Sequence, residues 1–174
     1  IDDNKEKSND TKQIVDYSKD FNQALAKLNS KDKNIAVEGL NLMKGLAEKN
    51  CSEAIEELGI TYSVLSNKDS QFPQINERRE VLGFDRNTST TQSIQYLESI
   101  KADELMSVEA LYILGYSYWR QHDWHKGKEF LTKALGKLSN LPENSFNGKT
   151  KDDLMKCIKH YLNKKVYKKA EIKT

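Results

Sequence analysis

Two imidazoles and a carboxylate fall within four residues at His122, Asp123 and His125, a grouping able to hold a metal ion or relay a proton. Their surroundings argue for a turn instead. Gln121 to Asp123 reads as a short polar connection, Asp123 is suited to cap the helix that follows, and His125 is one turn removed from any focus shared with His122. His160 is isolated in a lysine-rich segment. Cys51 and Cys157 stand 106 positions apart and match no zinc spacing. Bridged, they would close a long loop; free, they would behave as small hydrophobes, the commoner behaviour of lone cysteines. Glu53, Glu56 and Glu57 gather at a helix start, where carboxylates complement the positive end of the macrodipole without any catalytic role. No phosphate-binding glycine loop, nucleophile elbow or cysteine–histidine signature occurs. The expectation is a non-enzymatic protein with no catalytic residue, metal or cofactor.

The elements carrying these residues are expected to be helices. The chain is 37% hydrophobic and 31% charged, with only two prolines and eight glycines, which favours long helices over a turn-rich β architecture. Its 174 residues suffice for one domain with its own core. No apolar run approaches the ~18 residues of a membrane span, so no transmembrane segment is expected. A net charge of +2 gives no global attraction for nucleic acid, and none is expected as partner. Residues 1–10 form a polar lead, and 11–174 read as a single helical domain.

Within that domain a pattern repeats. Glu53 to Tyr62, "EAIEELGITY", matches Glu109 to Tyr118, "EALYILGYSY", at a constant offset of 56, pairing Ala54 with Ala110, Leu58 with Leu114, Gly59 with Gly115 and Tyr62 with Tyr118. Alanine, leucine and tyrosine spaced by four lie on one helix face, and the glycine lets a neighbouring helix approach. Glycine inside a helix costs about 1 kcal/mol relative to alanine, so its recurrence points to a contact that offsets the cost. After Tyr118, Trp124, Gly127, Leu131, Ala134, Leu135 and Leu138 continue in helical spacing, completing a helix–turn–helix.

These motifs resemble the tetratricopeptide repeat: Leu111, Leu114, Gly115 and Tyr118 match its first helix with leucine in place of tryptophan, and Gly127, Leu131 and Ala134 match its second. The join Met43 to Tyr62, "MKGLAEKNCSEAIEELGITY", is similar to the Sel-one-like variant, with Asn50 where that family has glycine. The loop of glycines and aspartate that follows the tyrosine in Sel-one-like repeats is absent, and about twenty extra residues separate the units. The resemblance implies an all-α fold, a short α-solenoid of antiparallel helix pairs, with repeat-like units at about 35–62 and 92–138. An insertion spans 63–91, in which "PQINERREVL" forms one or two helical turns projecting from the stack, either on the binding face or as a tolerated loop. An amphipathic helix from Ile14 to Leu28 begins the stack, and a helix at about 151–168 caps it.

On the helix from Val108 to Arg120, Glu109, Tyr112, Tyr116 and Trp119 form a second face beside the packing face. The resemblance implies that this face lines a concave groove, because first helices do so in tetratricopeptide proteins; the competing expectation is that the C-terminal helix covers it as core. Glu53, Glu56, Ile60 and Ser63 would be the matching groove residues of the first unit. The expected function is a protein–protein interaction module, an adaptor or a specific inhibitor. It would bind a protein or peptide partner through an aromatic and acidic groove made by Glu53, Glu56, Glu109, Tyr112, Tyr116, Trp119 and Arg120, with pairing of two copies of this chain also possible. The alternative expectation is a lipid- or nucleic-acid-associated module using Lys164, Lys165, Lys168 and Lys169 of the C-terminal helix.

Overall fold

The computed structural model describes residues 15–63, 73–100, 106–142 and 151–164, and among them every regular element is an α-helix. The polar lead 1–10, part of the 63–91 insertion and residues beyond 164 lie outside the described residues. In chain order the helices are α1 (Ser18–Leu28), α2 (Lys33–Glu48), α3 (Ser52–Tyr62), α4 (Pro73–Leu82), α5 (Arg86–Glu98), α6 (Val108–Arg120), α7 (Trp124–Ser139) and α8 (Lys151–Leu162). None of them is long and apolar enough to cross a membrane.

Local chemistry sets the ends. Asp32 caps α2 by accepting from the amides of Asn34 and Ile35 at 2.9 and 3.3 Å, Asp85 caps α5 through Thr88, Ser107 caps α6 through Ala110 and Asp123 caps α7 through Lys126. After α2 and α6 the chain reverses through a left-handed residue, Asn50 at φ 62° and His122 at φ 63°. In both turns the next amide reaches back into the helix, Cys51 N–H to Leu46 O and Asp123 N–H to Tyr118 O. His122 is therefore a helix terminator, and Asn50 stands in for glycine because asparagine tolerates this conformation.

The helices pack chiefly as α1 on α2, α3 on α5 and α6 on α7. A glycine sits at each crossing. A Cβ on Gly39 would come within 2.3 Å of the Leu28 backbone nitrogen of α1, one on Gly59 within 2.4 Å of Leu97 Cγ on α5, and one on Gly115 within 2.8 Å of Leu131 Cγ on α7. The expected close approach at Gly59 and Gly115 is thus present, and Gly39 adds a third. Helix α3 finds its main partner in α5, beyond α4, rather than in the adjacent α2. The serines of α5 make that contact: Ser93 Oγ donates to Gly59 O at 2.6 Å and Ser89 Oγ donates to Tyr62 O.

Helix α4 does not project. Ile75 and Leu82 are buried, and the helix lies against α2 and α3, ended by Gly83 at φ 67°. The expected excursion is instead folded into the body because three of its side chains, Ile75, Arg78 and Leu82, recur at helical spacing on one face and are all buried. Two apolar clusters result. One is built mainly from α1, α2 and α3, and the other is centred on α6 with α7 and α8.

Candidate functional site

Helix α6 is central to the second cluster: every residue from Val108 to Tyr118 except Glu109 is buried. One face meets α7. The other carries Tyr112 and Tyr116, with relative exposures of 0% and 5%; α8, which packs chiefly on α7, brings Tyr161 and Cys157 against these tyrosines and buries Leu154 and Ile158 in the same cluster. The Tyr112 hydroxyl is 3.2 Å from Cys157 Sγ, and the Tyr161 ring meets Tyr116 edge-on at 5.3 Å. Tyr112 and Tyr116, expected on an open groove, are therefore core residues. A helix that is apolar all round is a buried helix, and the last helix supplies the cover.

The aromatic column nevertheless reaches the surface. Beyond Tyr116 it continues to Trp119, stacked at 6.0 Å, and there Trp124 of α7 and Tyr161 of α8 both meet the indole edge-on at 5.9 and 5.3 Å. These three rings are half-buried. His122 adds an edge contact to Trp124 and His160 one to Tyr161. The indole N–H of Trp119 has no hydrogen-bond acceptor among the described residues. Arg120 ends α6 beside this rim, Lys126 sits over the Tyr118 ring at 5.0 Å, and Lys164 follows Tyr161 at the end of α8. Asp123, the nearest carboxylate in sequence, is engaged as the α7 cap.

The acidic half of the expected groove is used differently. Glu53 is exposed in the first turn of α3, where its carboxylate accepts from Cys51 Sγ at 3.6 Å. Glu56 is half-buried and accepts the Ser107 amide at 2.9 Å, tying α3 to the start of α6. Glu109, in the first turn of α6, is half-exposed. Ser63 is buried with its hydroxyl on Ile60 O, and Ile60 packs on the α6 cluster. Glu53, Glu56 and Glu109 therefore lie toward the starts of their helices, whereas Trp119 and Arg120 lie at the end of α6, about 15 Å or more along the helix from Glu109.

Sequence reasoning passed over one polar centre. Arg78 of α4 is 6% exposed; its guanidinium pairs with Glu57 of α3, donates to Asn29 Oδ1 at 2.6 Å and lies 3.3 Å from Thr61 Oγ1. An arginine in an insertion gives no such signal, because its partners lie on two elements distant in sequence, Asn29 at the end of α1 and Glu57 and Thr61 on α3. A second aromatic group stacks Tyr62 between Phe84 and Tyr96 at 4.5 and 5.8 Å, with Lys44 over the Tyr62 ring. The Tyr62 hydroxyl beside the Lys44 ammonium raises its pKa, and burial raises that of Tyr96.

Neither cysteine is in a disulfide: Cys51 belongs to the first cluster and Cys157 packs on the second. Among the described residues no three His, Cys, Asp or Glu side chains converge as metal ligands. The described charges of α8 follow the macrodipole, Asp152 and Asp153 in the first turn and Lys159 and His160 in the last; Lys165, Lys168 and Lys169 lie outside the described residues. Comparison with protein-family models, curated proteins and solved structures finds no match to this chain.

Proposed function

We propose that the chain is a short α-solenoid of the tetratricopeptide and Sel-one-like kind, acting as a non-catalytic interaction module that grips a protein or peptide partner at the rim formed by Trp119, Trp124 and Tyr161. The pairing of α1 with α2, α3 with α5 and α6 with α7, each with a glycine at the crossing, supports the solenoid reading. The observation that carries the binding site is the meeting of three half-buried aromatic rings from three helices at one place, edge to face. Tryptophan and tyrosine bury much area at little conformational cost and dominate the energetics of interfaces. The flanking cations Arg120, Lys126 and Lys164 select a segment whose apolar anchor is accompanied by carboxylates, which favours on-rate and register. An acidic groove would select a basic partner instead, but Glu56 is engaged within the fold.

Both tryptophans of the chain lie in this rim, so their fluorescence reports on it alone. A partner recovered by affinity capture with the intact chain and titrated against it is expected to shift the emission. Trp124→Ala is expected to weaken binding by about tenfold or more, as for an anchor worth over 1 kcal/mol. Binding that is undiminished in Trp124→Ala, with helicity retained and no emission change on titration, refutes the rim as the site.

A further inference from the structure

The large apolar side chains left exposed among the described residues are Val15, Ile35, Val37 and Leu42, all within 15–42 and none in the rim. Ile35 and Leu42, 42% and 45% exposed, stand seven apart on α2 and so lie one above the other on a single face. At about 100° per residue the same face takes in Glu38 and Gly45 and, continued to the C-cap just past the end of α2, Lys49, the five positions spanning roughly 80° of arc. Gly45 has nothing within 4 Å of where its Cβ would be, which leaves a notch in the surface next to Leu42. The neighbouring face of the helix is committed inward, with Ala36, Gly39, Leu40, Met43 and Leu46 buried.

We propose that this face of α2 pairs with the same face of a second copy of the chain, antiparallel about a two-fold axis between the levels of Met43 and Lys44. Under that operation Leu42 of each copy meets the Gly45 notch of the other, and Glu38 of each copy meets Lys49 of the other. A two-fold interface requires that residue i meet j while j meets i, and here an apolar knob, a matching notch and two opposite charges exchange under one axis. That self-complementarity selects a second copy over an unrelated protein as the occupant. Glu38 already contacts Lys27 in its own chain, but the two side chains keep 56% and 40% of their exposure, so water screens the pair and it holds Glu38 only weakly against a new partner. A single helix face supplies less than the ~1,200 Å² typical of stable complexes, so the association is reversible and concentration-dependent.

Sedimentation velocity of the full chain, from low micromolar to near-millimolar concentration, tests this. The average mass is expected to climb from 20.0 kDa toward twice that value. Leu42→Glu is expected to raise the dissociation constant at least about tenfold. Glu38→Lys and Lys49→Glu are each expected to weaken association, and the double variant to restore it to within about threefold, a recovery that damage to folding cannot produce. A chain that stays monomeric throughout, an association that survives Leu42→Glu, or a double variant no better than the single ones overturns the proposal.

Discussion

Replacing Gly39 by alanine tests the packing logic directly, because the same substitution is predicted to have opposite signs at two helical glycines. A Cβ on Gly39 would lie 2.3 Å from Leu28 N, 2.7 Å from Lys27 C and 2.9 Å from Ala24 O, all backbone atoms of α1. Ordinary contact begins near 3.4 Å, so the shortfall at Leu28 N is about 1.1 Å and α1 must move outward by a similar distance. No rotamer change can relieve a clash with backbone. Overpacking of this kind costs about 1–3 kcal/mol, and three rigid contacts place it at the upper end. The gain in helix propensity returns about 1 kcal/mol, leaving a net loss of about 2 kcal/mol. Gly136, exposed on α7, has nothing within 4 Å of its would-be Cβ, so alanine there keeps the propensity gain alone. In thermal unfolding followed by far-UV circular dichroism, Gly39→Ala is expected to lower Tm by about 4–8 °C and Gly136→Ala to raise it by about 2–4 °C. Equal signs for the two variants, or a Gly39→Ala protein as stable as the parent, would refute the close crossing of α1 and α2.

Arg78→Met removes one member of a buried pair and leaves Glu57, whose side chain retains 18% exposure, without its cation. Because that exposure lets water reach the carboxylate, a loss of about 2–3 kcal/mol in urea unfolding is expected, below the ~3–5 typical of a fully buried pair. Glu57→Gln in the Arg78→Met background should recover part of it, and a double variant worse than the single one would contradict the assignment. Burial raises the Cys51 thiol pKa above its ordinary 9.0, with the neighbouring Glu53 carboxylate adding to the effect. The folded state thus favours the protonated thiol, so this contribution to stability is present below pH 9 and is lost as the pH climbs through the raised value. Alkylation of Cys51 in the folded chain should be slow at neutral pH and quicken in urea; equal rates in both would show an open thiol.

Where the sequence was readable, strong periodicity made it so. Of the helical spacing from Ile14 to Leu28, whose first residue lies outside the described residues, Ser18–Leu28 appears as helix, and the glycine-bearing pair at 53–62 and 109–118, Asp123 as a cap and the ten residues from Pro73 to Leu82 appear as helices or helix ends. Less readable was the start of α5, since "RNTSTT", the end of the 63–91 insertion, carries no apolar stripe. Its packing face is hydroxyls that donate to the carbonyls of α3, a contact invisible to hydrophobic periodicity. The partner of α3 was equally hidden, because α4 intervenes in sequence and Arg78 finds its acceptors at the end of α1 and on α3. The two aromatic faces of α6 were visible, but a face turned to a groove and a face turned to a covering helix have the same spacing. The apolar character all round α6 is the signal that favours the second.

That ambiguity bears on where a partner can act. To reach Tyr112 and Tyr116 a partner would have to lift α8 and re-expose Leu154 and Ile158, buried in the same cluster, and much of Tyr161, which packs on the column. Burying the two aliphatic side chains alone is worth about 1.5–3 kcal/mol each, so displacement costs at least about 3 kcal/mol before any affinity is gained. At 1.4 kcal/mol per tenfold, that is a handicap of about a hundredfold or more in Kd. The rim carries no such handicap, because Trp119, Trp124 and Tyr161 already present part of their rings to solvent with α8 in place. Weakening the α8 contact separates the two routes. Ile158→Ala should loosen α8, tightening a partner that binds the buried column while leaving one that binds the Trp124 side of the rim unchanged or weaker.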